Sequence, residues 1–142
     1  MKEIMKAEEL MIGDWVNLNF DVDYKTGNPI YGYVQVNSIN KDGTIDVNCT
    51  FDISESMQDG WDLKLIEPIP LTEELLLKNG FLVDSNRIFY LKENLKFGLI
   101  KDIDYGYWFT YRSNNEYICT CDFVHELQHI LKLQQIEKEI VL

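Results

Sequence analysis

No apolar run in the sequence approaches the roughly 20 residues of a membrane-spanning helix, which excludes a helical membrane protein. Met1 to Leu10 carries charges throughout and lacks the apolar centre of a secretory leader. Cysteine is scarce: Cys49, Cys119 and Cys121 are an odd count, so no complete disulfide framework is encoded and free thiols in a reducing compartment are expected. These absences point to a cytoplasmic protein. Cations are also few. Lys and Arg number 13 against 24 Asp and Glu, a formal charge of −11, with no run of basic residues. Sequence-independent nucleic-acid binding depends on neutralising phosphates with cations, and docking on anionic membrane has the same need. Neither partner is expected, and the charge reads as what keeps an aromatic-rich surface soluble. There is no P-loop and no dinucleotide fingerprint, no G-x-S-x-G elbow, no internal repeat and no long linker.

What is present is material for a packed interior: 46% of the 142 residues are hydrophobic and 13% aromatic, which argues against global disorder. In Val16, Leu18, Phe20 and Val22 the apolar residues fall at every second position, and Ile45, Val47, Cys49 and Phe51 repeat the pattern. Alternation of this kind puts one strand face on a core and the other in water. Tyr33, Val34, Val36 and Ile39 supply a strand before Asn40-Lys41-Asp42-Gly43, a hairpin signal because Gly tolerates positive φ. Asp62 to Ile66 reads as one further strand. Short strands at this density predict an SH3-like small β-barrel over residues 1–66.

Residues 67–81 read as a connector. Pro68 and Pro70 exclude helix and central strand. Thr72 is placed to N-cap a short helix with Glu73 and Glu74 at its positive end, Leu71 and Leu76 have staple spacing, and Gly80 can close it in left-handed conformation. Residues 82–142 return to β structure. Strands are expected over 87–91, 95–100, 105–111 and 117–121, with turns at Asn94, Asp104-Tyr105-Gly106 and Ser113-Asn114-Asn115. A helix follows from Phe123 to about Glu139, N-capped by Asp122, with Phe123, Val124, Leu127, Ile130 and Leu131 on one stripe. The expected fold is α+β: the small barrel, the connector helix, and a second antiparallel sheet packed by the C-terminal helix, in one compact unit.

One motif suggests chemistry. His125-Glu126-Leu127-Gln128-His129 matches H-E-x-x-H, the spacing that puts two imidazoles on one helix face around zinc with the glutamate activating a bound water. Cys119 and Cys121 lie just upstream, and a Cys-x-Cys strand entering a His-x3-His helix is a second zinc possibility. Against both, no Gly-x-x-His follows His129, and only 13 residues remain for a downstream ligand. A helical wheel sets the two histidines opposite Leu127 and beside Lys132, on a solvated side. The preferred reading is of solvated helix residues with no metal. The zinc hydrolase, with His125 and His129 as ligands and Glu126 as base, is the rival. Asp21/Asp23 and Asp102/Asp104 read as strand-end and turn residues. Among the aromatics, which include Tyr24, Tyr31, Tyr33, Trp61, Tyr105, Tyr107, Trp108 and Tyr111, those not in the core make a protein-binding patch on an acidic surface. Tyr24, Tyr31, Tyr33 and Trp61 are the candidates.

Three segments in order, Ile12-Gly13-Asp14-Trp15-Val16, Pro68-Ile69-Pro70-Leu71-Thr72 continuing to Gly80-Phe81, and Phe123-Val124-His125-Glu126-Leu127-Gln128, resemble a group of small uncharacterised proteins. The group is common in Bacteroides-type gut bacteria, their phages and mobile elements. Its pattern has an IGNWV-like start, a PIPLT…GF connector and an HxLQN-like helix. The resemblance implies no activity or cofactor, only a shared architecture and a mobile-element setting. His129 stands where the pattern has Asn, and this departure creates the H-E-x-x-H match. The expected function is a non-catalytic interaction or accessory protein with a protein partner or self-association. A nucleic-acid-binding small barrel is the remaining alternative.

Overall fold

The structure, a computed structural model, describes residues 5–49, 58–104, 108–112 and 116–142. Thr50, Phe51 and Asp52 at the end of one expected strand, Tyr105, Gly106 and Tyr107, and the Ser113-Asn114-Asn115 turn lie outside the described residues. The protein is α+β with two antiparallel sheets and few helices. The chain divides into two compact units, Met1–Ile69 and Pro70–Leu142.

In the first unit β1 (Trp15–Val22), β2 (Pro29–Ile39), β3 (Ile45–Cys49) and β4 (Ile66–Glu67) form an antiparallel sheet of order β3-β2-β1-β4. The alternation read from the sequence sets the faces. Val16, Leu18, Val34, Val36, Ile45, Val47 and Ile66 build the core with Met5 and Leu10, and Phe20, Trp61, Leu63 and Leu65 pack against it. Alternation does not secure burial to the strand's end: Val22 is 46% exposed, beyond a bulge between Asn19 and Asp21. The β2–β3 hairpin closes through Asn40 N–H to Thr44 O at 2.9 Å, with Gly43 at φ 87°.

The stretch expected as a strand over 62–66 is split. Asp62 Oδ1 accepts from Lys64 N–H at 2.9 Å, which caps a 3-10 turn over Leu63–Leu65 and leaves Ile66–Glu67 for pairing with β1. Just before it, Trp61 exchanges both backbone hydrogen bonds with Ile45, and Val47 N–H donates to Gln58 O at 2.7 Å. Residues 58–67 therefore reach both edges of the sheet, β3 first and β1 last. No closed barrel is found among the described residues.

In the second unit β5 (Leu82–Val83), β6 (Phe89–Leu91), β7 (Asn94–Lys101), β8 (Trp108–Arg112) and β9 (Glu116–Thr120) form an antiparallel meander in chain order. The strand expected from Arg87 starts two residues later, because Arg87 sits at φ 65° in a turn whose backbone bonds join Asp84 to Arg87 and Ile88. Helix α1 (Glu73–Lys78) is capped as its sequence dictates. Thr72 Oγ1 accepts from Leu75 N–H, and Gly80 at φ 85° lets Phe81 N–H reach Leu76 O, the Schellman closure.

Helix α2 spans Val124–Leu133, shorter than expected. Gln135 takes φ 58°, and Ile136 N–H returns to Leu131 O at 2.8 Å. A Schellman stop thus forms without glycine because it buries Ile136 and, further on, Ile140. The N-cap is Phe123 rather than Asp122; the Asp122 carboxylate instead accepts from Trp108 N–H at 3.3 Å. Buried Asn79 ties the tail down, donating to Val141 O at 2.8 Å and accepting from Val141 N–H at 2.7 Å. Among the described residues no helix is long and apolar enough to cross a membrane.

Candidate functional site

The H-E-x-x-H residues meet on α2, and the glutamate is engaged in capping the helix start. The rings of His125 and His129 lie 5.7 Å apart, edge to face. His125 is not on a solvated face, as the helical wheel suggested; it is 5% exposed and stacks on Phe123 with ring centroids 6.0 Å apart. The wheel assigns direction from the helix alone and takes no account of an aromatic N-cap folding over the first turn. Glu126 points back along the helix: its Oε1 accepts from both Asp122 and Phe123 N–H groups at 3.1 Å. This is the glutamate half of a capping box. Its Oε1 is thereby engaged in holding the start of the helix. Cys121 is buried, with its Sγ 3.9 Å from Phe123 O. Burial, with Glu126 nearby, pushes its thiol pKa far above the ordinary value, so it stays protonated. Cys119 Sγ rests 3.6 Å from Thr110 Oγ1. Among the described residues no three His, Cys, Asp or Glu side chains are grouped to hold a metal ion.

The acidic pairs are turn formers. Asp23 Oδ1 accepts from Lys25 N–H and Asp102 Oδ1 from Asp104 N–H, both at 2.9 Å, while Asp21 Oδ1 accepts from Val22 N–H. Trp61 is half-buried against the first core. Trp108 is buried in the second unit, donating Nε1–H to Leu71 O at 3.1 Å.

Three tyrosines remain at the surface of the first unit. Tyr24, in the β1–β2 turn, is 96% exposed; Tyr31 and Tyr33 are 37% and 47% exposed. The period-2 rule puts the last two on the same face of β2. Register sets Asn17 opposite Tyr33 and Asn19 opposite Tyr31, so carboxamides and phenols share that face while Val16, Leu18 and Val34 face the core. The Tyr31 hydroxyl donates to Glu67 Oε1 at 3.2 Å. Asn17, Tyr31, Gly32 and Tyr33 line a cleft of about 210 Å³. The Oδ1 atom of Asn17 is buried there and accepts no hydrogen bond from the described residues. Sequence reading found the tyrosines but missed Asn17 and Glu67; only strand register brings them together. The charge is uneven as well. Residues 1–69 contain five lysines, no arginine and 13 carboxylates, net −8, and residues 70–142 contain eight cations and 11 carboxylates, net −3.

Comparison with protein-family models, with curated proteins and with solved structures finds no match to the chain. The class that fold and surface together define is a two-unit α+β protein whose first sheet offers a tyrosine–carboxamide face.

Proposed function

We propose that the chain is a non-catalytic interaction protein whose first unit binds a basic segment of a protein partner on the Tyr31–Tyr33 face. One observation carries this reading: two exposed tyrosines flank a buried, unsatisfied acceptor, Asn17 Oδ1, in a unit of net charge −8. A buried acceptor left without a donor costs free energy. A Lys or Arg side chain supplies donors, packs against aromatic rings and is drawn by the field of the acidic unit. The same charge repels a second copy, which favours a different partner over self-association, and it opposes nucleic acid.

The first unit is read as an SH3-like small barrel. Supporting this, residues 58–61 flank β3, a 3-10 turn follows, and β4 returns to β1. The ordered resemblance to small phage- and mobile-element-associated proteins of Bacteroides-type bacteria supports a mobile-element setting for this role.

The test is binding of the full chain to an array of random decapeptides, compared with a Tyr31→Ser/Tyr33→Ser variant. Lys and Arg are expected to be enriched among wild-type binders, and binding to fall at least about tenfold in the variant, as for loss of aromatic anchors. Equal binding by both proteins, or binders without basic residues, would refute the reading.

A further inference from the structure

The second unit carries a separate cleft of about 390 Å³, lined by Asp84, Ile88, Tyr90, Leu95, Lys96, Phe97, Gly98 and Tyr111. That volume is in the range of small-ligand sites, about 300–1,000 Å³. Strand register builds it. Gly98 lies between Tyr90 on β6 and Tyr111 on β8, so a missing side chain separates two aromatic ones. The Tyr111 phenol fills part of the gap. A Cβ placed on Gly98 would lie 3.0 Å from Tyr111 Cζ and Oη and 3.2 Å from Ile88 Cγ2.

Two polar groups in this cleft are left partly unused. The Tyr111 hydroxyl oxygen is buried and has no hydrogen-bond partner among the described residues. Asp84 spends one oxygen, Oδ1, on the Asn86 and Ile88 N–H groups at 2.8 and 3.0 Å. That Asx turn fixes the carboxylate in place, with Oδ2 available. The negative charge of Asp84 also acts on Tyr111, adding to the effect of burial in raising the phenol pKa, so the hydroxyl stays protonated. Lys96, the one cation among the lining residues, has a flexible stem that covers apolar surface while its ammonium reaches water.

We propose that this cleft binds a small organic cation, an alkylammonium group that donates to Asp84 Oδ2 and to the Tyr111 hydroxyl, with its carbon chain on Ile88, Tyr90 and Leu95. The ammonium supplies the donors both oxygens need. A neutral ligand of the same shape gains no ion pair with Asp84, and an anionic one is repelled by it. The site is independent of the tyrosine face of the first unit.

The experiment is a ¹H–¹⁵N titration of the full chain with n-butylammonium chloride, in phosphate buffer free of other amines, with sodium butyrate as the matched control. A ligand of about five heavy atoms binds at about millimolar concentration. Saturable shifts at Ile88, Gly98 and Tyr111 are expected with the amine and not with butyrate. Asp84→Asn keeps the Asx turn, since the amide oxygen still accepts from Asn86 and Ile88, and removes only the charge. It is expected to weaken binding at least about tenfold, as loss of a charged partner does, with the Asn86 and Ile88 resonances otherwise in place. Tyr111→Phe is expected to weaken binding at least about tenfold, the worth of a hydrogen bond from a charged donor. Absence of saturable shifts, equal shifts with butyrate, or unchanged affinity in Asp84→Asn would overturn the proposal.

Discussion

Replacing Tyr111 by Phe should make the unliganded protein more stable, although it removes a polar group from a polar-rimmed cleft. The hydroxyl oxygen is buried and unpartnered, and such a group costs about 1–3 kcal/mol in lost hydration. Phe keeps the ring over Gly98 and deletes only that oxygen. The dispersion attraction of one atom goes with it, worth a few tenths of a kcal/mol, so a net gain of about 1 kcal/mol is expected. For a cooperative unit of this size that raises Tm by about 4–8 °C. The assay is thermal and urea unfolding at pH 7 in phosphate, with coincident fluorescence and circular-dichroism transitions as the two-state check. The pH dependence adds a second mark. Burial and Asp84 raise the Tyr111 pKa above its ordinary value of 10. Below that value the hydroxyl is neutral folded and unfolded alike. As pH rises past it the unfolded chain ionises first, so the wild type loses stability through the window up to the folded pKa. Phe lacks that loss, and the gap between the two proteins widens above pH 10. An unchanged or lower Tm at pH 7 would refute the reasoning, because the hydroxyl would then have a partner in solution.

Three other side chains give expectations of the same kind. Glu126→Ala should lower stability by about 1 kcal/mol through loss of the helix cap, while Glu126→Gln, whose amide oxygen still accepts, should be close to neutral in chemical denaturation. Asp46 accepts from Ser38 Oγ at 2.7 Å, Asn40 Nδ2 at 3.0 Å and Gly60 N–H at 2.8 Å, and these bonds hold its pKa below the ordinary 3.8. Its contribution is therefore complete above that value and lost as pH falls through the lower folded value; NMR titration should show this midpoint, and Asp46→Asn should flatten the acid limb of the stability profile. Cys121, buried and held as a thiol by burial and neighbouring Glu126, should resist iodoacetamide at neutral pH until the protein unfolds, as read by peptide mapping.

Local rules in the sequence were enough wherever a feature depended on neighbours in the chain. Thr72 and Gly80 bound α1, Asn40–Gly43 turns the β2–β3 hairpin, and Val16 and Leu18 choose the buried face of β1. They failed where distant residues decide. α2 stops at Leu133 because Ile136 and Ile140 are buried and Asn79 holds Val141, a pairing across 62 residues that no helical period foretells. The H-E-x-x-H match was visible as a pattern, but its glutamate is engaged in capping, which depends on where the helix begins. The tyrosines of the first face were legible singly. Asn17 and Glu67 join them only through strand register, and the cleft around Gly98 depends on the side chain that position lacks.

The stretch from Gln58 to Trp61 also limits how the first unit can associate. It occupies the outward amides of Ile45 and Val47 and the outward carbonyl of Ile45, so the flank of β3 is already zipped shut by its own chain. A visiting strand therefore meets a shortened ladder on that side, which disfavours fibril-like stacking of copies where a bare β3 would invite it. Along that stretch of β3 an approaching partner must read side chains rather than backbone.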